Sequence, residues 1–289
     1  MLISKEERQY PFDGAKFDLN QEKDRRFLAW VFDQFLYGEV TGIQCGYWLY
    51  KAPHFNAATF LAKQAAEELS HVRRFLRIFS LIGEEPKKAH WAIRFLSTGM
   101  MGSSWGEHVA LEMAIGEGLV LNIFYVLAST ISDSEVSKIL DSAVVEEERH
   151  VEFGERETLA WLKTYPGSKN LLLTLAFVQY SVMKRLKKRI LKKISANFPE
   201  SHPVLRHFEG FFQHTLNNFQ TQMQRLGLVD APLETFGILH KLKLLVFLPF
   251  EILRARLFFK TRLLTDSYLE DPTVLSEVKR FHPSSARPE

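Results

Sequence analysis

Two segments of the 289-residue chain share a pattern with chemistry in it. Glu68-Leu-Ser-His71-Val72 and Glu147-Glu-Arg-His150-Val151 both read Glu-x-x-His-Val, each with a phenylalanine shortly after, Phe75 and Phe153. On a helix, positions three apart share a face, so each carboxylate and imidazole can grip one cation together. A single Glu-x-x-His means little, since chance supplies about one in a chain of this size. Here the pattern occurs twice, and each copy has a glutamate at a matched distance upstream. Glu39 lies 29 residues before Glu68, and Glu117 lies 30 before Glu147.

The neighbours of these glutamates strengthen the case for metal. Phe32, Phe35, Leu36 and Ile43 surround Glu39 at helical spacing; Leu61, Ala65, Val72 and Phe75 surround Glu68. Met113, Ala114, Val120 and Phe124 do so for Glu117, and Leu140, Ala143, Val144 and Val151 for Glu147. All four carboxylates therefore interrupt faces that should point inward. A buried carboxylate without compensation costs several kcal/mol or is forced neutral. Two divalent cations would balance the four carboxylates, and two neutral imidazoles would complete the set. The predicted metal ligands are Glu39, Glu68, His71, Glu117, Glu147 and His150. Glu112 also has apolar neighbours, and only the matched spacing favours Glu117 over it. Glu67, Glu146 and Glu148 adjoin ligands but point elsewhere on their helices, which fits solvated positions or partners of the ligands. The spacing does not say what holds the other nitrogens of the two histidines. Gly38, Gly116 and Gly118 flank two ligands, either for close helix packing or to leave room beside the metals. Tyr37 and Tyr125, on the same helices, are either core residues or redox-active ones. His54, His90 and His108 lack such context and read as ordinary.

The elements that must position these residues are helices, since no β-branched alternating runs stand between turn signals. The spacing predicts a first helix over 24–51 and a second starting after Asn56 as cap and stopping at Gly83. A connection over 84–104 is long enough to contain short helix. A third helix follows over 105–130. A fourth begins near Ser132, where Ser132 and Glu135 have capping-box spacing, and ends at Lys163 before Pro166-Gly167. Two short links and one long connection predict two helical hairpins with a crossover between them. Three further helices are expected over 169–196, 203–226 and 235–264. The domain reading is an N-terminal segment 1–23, a dimetal bundle 24–166, a basic helical extension 167–270 and a Pro/Ser-rich tail 271–289.

The set Glu39, Glu68-x-x-His71, Glu117, Glu147-x-x-His150 resembles the ferritin-like di-iron carboxylate superfamily over about residues 24–164. The resemblance implies an all-α fold, a ferritin-like four-helix bundle with a helical C-terminal extension. It also implies two iron ions, with manganese–iron as a variant, and catalytic roles for the same six residues. The implied activity is that of an oxygen-dependent di-iron oxygenase or oxidase. With 24 phenylalanines in the chain, a hydrophobic, fatty-acyl or lipid-like substrate is expected, free or carrier-bound, and the electron donor is unspecified. The alternatives are a tRNA-modifying di-iron hydroxylase, a metal-storage or peroxide-scavenging protein, and a manganese–iron ligand-binding oxidase.

Composition bounds the setting. The chain is 46% hydrophobic and 25% charged, enough for one sizeable core. One cysteine, Cys45, excludes an intrachain disulfide framework. The N-terminus has no apolar signal region, and no uninterrupted apolar run has spanning length. A cytoplasmic protein, peripheral to the inner membrane surface at most, is expected. Net charge is +3, but residues 168–265 hold 16 Lys/Arg against 5 Asp/Glu, which is +11 and leaves −8 elsewhere. Basic stretches 184–193 and 238–264, rich in apolar bulk, suit an anionic membrane surface or an acyl carrier protein. RNA is the weaker alternative, because no RNA-binding signature accompanies them.

Overall fold

A computed structural model describes residues 1–14, 16–99, 102–198, 203–258 and 272. Among these residues the protein is all-α; extended pairing is confined to an isolated bridge between Phe17 and Ile131. Apart from residue 272, the 271–289 tail lies outside the described residues, as does the end of the last predicted helix.

Helix α1 spans Glu22–Gly42 and buries Phe27, Leu28, Phe32, Phe35 and Glu39. It stops nine residues short of the expected end at Lys51. After Gly42 the chain turns and resumes as a short helix, Cys45–Leu49, and the turn carries Cys45 and Trp48 into the core. Helix α2 spans Phe55–Ile82 and ends at Gly83, whose φ of 68° is the left-handed cap that glycine adopts without strain. Its N-cap is His54, not Asn56: the His54 ring nitrogen accepts from the Ala57 amide at 3.1 Å. The crossover contains a short α-turn, Trp91–Arg94, and a π-turn, Phe95–Gly99.

Helix α3, Trp105–Thr130, is long and apolar enough to cross a membrane by length and composition, yet most of it is buried among the other helices. Its middle, His108–Glu117, winds as a π-helix before α-geometry resumes at Gly118. Helix α4 spans Ser134–Thr164. Asp133 caps it, accepting from the amides of Glu135 and Val136 at 2.9 Å. The expected Ser132–Glu135 box does not form, because the Ser132 hydroxyl and amide both donate to Phe17 O, at 2.7 and 3.0 Å.

Helix α1 packs on α2, α3 on α4, and α2 on α4. Gly154 lets α4 approach the α3 backbone at Ala114, where a β-carbon would overlap. The rest of the chain adds α5 (Lys169–Asn197), α6 (Pro203–Arg225) and α7 (Ile238–Phe258). Leu172 and Phe177 of α5 and Leu216 and Phe219 of α6 belong to the same apolar core as Ile115 of α3. Two polar ties bind this extension to the site-bearing helix. Gln179 donates to Leu111 O in the π-segment at 3.3 Å. Buried Arg8 donates to Gly118 O and to Gln222 Oε1, both at 2.8 Å.

Candidate metal centre

All six predicted ligands meet in the interior, one glutamate each from α1 and α3 and a Glu-x-x-His pair each from α2 and α4. Their donor atoms form two overlapping groups, each within 4.8 Å: Glu39, Glu68, His71 and Glu147 in one, and Glu68, Glu117 and His150 in the other. His71 Nδ1 lies 2.9 Å from Glu39 Oε2, 3.2 Å from Glu147 Oε1 and 3.8 Å from Glu68 Oε2. His150 Nδ1 lies 3.5 Å from both Glu68 Oε1 and Glu147 Oε2. Glu68 and Glu147 thus each turn one oxygen toward each imidazole, while Glu39 stands on the His71 side and Glu117 on the His150 side. The two rings are 6.3 Å apart between centroids.

This arrangement fits metal ions on its own chemistry. His150 Nδ1 and Glu117 Oε2 are shielded from solvent and accept or donate no hydrogen bond. Such atoms are costly to bury unless something else satisfies them, and a cation among oxygen and imidazole donors does so. The charge pattern of the bare cluster points the same way. Burial, reinforced by Glu147 and Glu39, pushes Glu68 well above the ordinary carboxylate range. Burial raises Glu117 strongly too, against the pull of His150, and raises Glu39 against its bond to His71. Burial alone would lower His71, but its bonds to Glu147 and Glu39 outweigh that and carry it to about 11. His150 rises to about 9 by the same opposition, with Glu147 as the main partner. Only Glu147 falls, to about 2, because the two imidazoles beside it favour its charged form and overcome burial. Without cations, the cluster holds protons in their place.

The outer nitrogens of the two histidines are held crosswise. His71 of α2 bonds through Nε2 to Glu146 of α4 at 2.7 Å, and Arg74 of α2 clamps Glu146 with bonds of 2.7 and 3.1 Å. His150 of α4 bonds through Nε2 to Glu67 of α2 at 2.9 Å, and Arg149 of α4 donates to Glu67 at 2.7 Å. An Nε2–H donor to a carboxylate leaves the Nδ1 lone pair facing the cluster, the tautomer a metal ligand needs. Spacing leaves Glu67 and Glu146 open between solvated positions and partners of the ligands, and these bonds make them partners of the two histidines. The signal was available in the doubled glutamate, since both segments read Glu-Glu-x-x-His. Gln64 is a second residue that pattern alone does not find: its amide donates to Glu117 Oε1 at 3.0 Å.

Other candidates sit elsewhere. Glu112 is partly exposed, paired with His108 Nδ1 at 2.7 Å and the Gly102 amide at 2.6 Å, outside the cluster. Glu148 accepts from Tyr125 at 2.5 Å, and burial followed by that bond pushes the phenol well above its usual range. Of the three flanking glycines, Gly118 packs against the Arg8 guanidinium and Gly38 has open space where a side chain would begin. Neither makes room for the ligands. The glycine that does is Gly42, where a β-carbon would overlap the Glu68 carboxylate.

Apolar layers close the cluster on both sides. Phe35, Phe75 and Phe124 meet with centroid distances of 4.8 to 6.1 Å. Across the site, Phe60 stacks on Phe153 at 3.9 Å and meets His150 edge-on at 6.1 Å. No protein-family model, curated protein or solved structure matches the chain.

Proposed function

We propose that the chain is a ferritin-like bundle holding two iron ions, and that it is an oxygen-dependent oxidoreductase acting on a hydrophobic, fatty-acyl or lipid-like molecule. The observation that carries this reading is the placement of Glu68 and Glu147, each with one oxygen toward each histidine. Glu68 and Glu147 would help hold both ions, with Glu39 and His71 added at one and Glu117 and His150 at the other. Two bound ferrous ions would supply the electrons that dioxygen takes up.

The chain's own residues do the rest. Glu67 and Glu146 fix the ring orientation of His150 and His71 from outside, and Arg149 donates to Glu67. Burial works against Glu146, but its bonds to Arg74 and His71 hold it below the usual range. The phenylalanine layers keep water from the cluster and favour apolar matter beside it. Gln64 holds Glu117 in place through its amide. Oxygen and imidazole donors do not separate iron from manganese, so a mixed manganese–iron pair fits the same ligands.

Anaerobic reconstitution with ferrous iron, elemental analysis and then an oxygen-electrode trace test the reading. Two irons per chain and stoichiometric dioxygen uptake support it. Absence of stoichiometric metal in the wild-type protein, or iron that does not respond to dioxygen, rejects it.

A further inference from the structure

Helix α7 turns its most apolar arc outward. Leu239, Leu242, Val246, Phe250, Leu253 and Leu257 are all exposed, Leu239 by 84%, Val246 by 71% and Phe250 by 61%. At 3.6 residues per turn these six positions fall within an arc of about 80°. The helices of a water-soluble surface do the reverse and present polar residues there. Lys243, exposed, and Arg254, half-buried, lie along one rim of the arc. Helix α7 packs on α5, and Leu244, Leu248 and Ile252 on the side away from the arc are half-buried. A continuous apolar face of this kind marks an interaction site.

Charge identifies the partner. The helix α5 exposes Lys184, Arg185, Lys188, Arg189 and Lys192 beside α7. Residues 168–265 together carry 16 Lys/Arg and 5 Asp/Glu, a surplus of +11. A second copy docking on this face would set that surplus against itself. An anionic lipid surface offers what both features need: acyl chains for the apolar arc and phosphates for the basic rim. We infer that α7, flanked by α5, docks on an anionic bilayer and lies in the plane of its interface. The inference rests on α5 and α7 alone and stands or falls independently of the metal centre.

The test is vesicle sedimentation of the full chain, with phosphatidylcholine alone or mixed with phosphatidylglycerol. Wild-type protein binds the mixed vesicles, ignores the neutral ones, and is released by salt. Arg185→Ala with Lys188→Ala lowers binding to mixed vesicles roughly 25-fold, about fivefold for each charge removed. Val246→Glu with Phe250→Glu abolishes it while the helical circular dichroism signal is kept. If that variant does not fold, the lipid and salt dependence of the wild type decide alone. Failure to bind mixed vesicles, or equal binding by the charge variant, overturns the inference. So does a wild-type dimer in light scattering that Val246→Glu with Phe250→Glu dissociates while vesicle binding is absent, which would make the arc the seat of a second copy.

Discussion

Gly42 of α1 backs onto the carboxylate of Glu68 on α2, so closely that a methyl group at position 42 would occupy the same space. Glu68 is one of two carboxylates that face both imidazoles. The bare backbone at 42 is therefore part of the site, although it contributes no ligand atom. Gly42→Ala should leave the metal-free fold intact, since alanine favours a helix over glycine by about 1 kcal/mol. It should displace Glu68 and cost the protein at least one of its metal ions. Elemental analysis beside a thermal melt of the metal-free protein checks this; full metal occupancy in the variant would contradict it.

The crossed outer bonds predict a selective pair of defects. Glu146→Gln should weaken the ion held by Glu39 and His71, and Glu67→Gln the ion held by Glu117 and His150. Losing such a partner typically costs about 10- to 100-fold in metal affinity. A titration with two resolved binding steps should show a different step weakened in each variant. Identical profiles would mean that the two halves are not independently braced.

Glu117 and Glu112 separate cleanly by substitution. Glu117 lies in the cluster with a shielded, unbonded oxygen, whereas Glu112 is tied to His108 and the Gly102 amide. Glu117→Ala should lose one ion per chain, and Glu112→Ala should keep both. Metal loss in the Glu112 variant alone would move the assignment to that residue.

Metal uptake should release protons. With no cation, His71 titrates at about 11 and His150 at about 9, because the carboxylates around them overcome the burial that would lower them. Both are then protonated at neutral pH, and Glu39, Glu68 and Glu117 are raised as well, chiefly by burial. Ligands bind deprotonated, so affinity should climb as pH rises. Calorimetry in buffers of different ionisation enthalpy measures the protons released; a value near zero would refute the charge pattern.

The same shifts set the pH dependence of stability. A group with a raised folded pKa stabilises the metal-free protein fully below its unfolded value and loses that contribution as pH rises toward the folded one. For His71 the window runs from 6.5 to about 11, and for His150 from 6.5 to about 9. The raised glutamates act in the same sense from their ordinary value upward. Glu147, lowered to about 2, contributes above 4.5 and loses its share only in acid. The gap in melting temperature between metal-loaded and metal-free protein should therefore widen between pH 6 and pH 9. A constant gap would argue against the protonated cluster.

The buried cluster of glutamates and histidines was legible in the sequence because helical spacing and burial of charge are both local signals. Glu39 and Glu117 needed only a matched distance and an apolar face. The helical hairpins were legible for the same reason. What escaped depends on contacts between distant segments. Ser132 fits a capping box by spacing, but Phe17 takes its hydroxyl, so Asp133 caps α4 instead. The end of α1 at Gly42 follows from burial of Cys45 and Trp48 after the turn. The π-geometry of His108–Glu117 leaves no mark in the apolar pattern, and Gln179, which supports it, comes from 68 residues away.

The crossed bonds between α2 and α4 also govern how the protein can be assembled. Each hairpin carries a complete Glu-x-x-His pair, but the outer hydrogen bond of its histidine comes from the other hairpin. Neither hairpin alone supplies the outer hydrogen bond of its own imidazole. On the proposed reading, metal capture would follow the docking of the two halves. A chain cut within the 84–104 connection would acquire its ions only when the two fragments recombine.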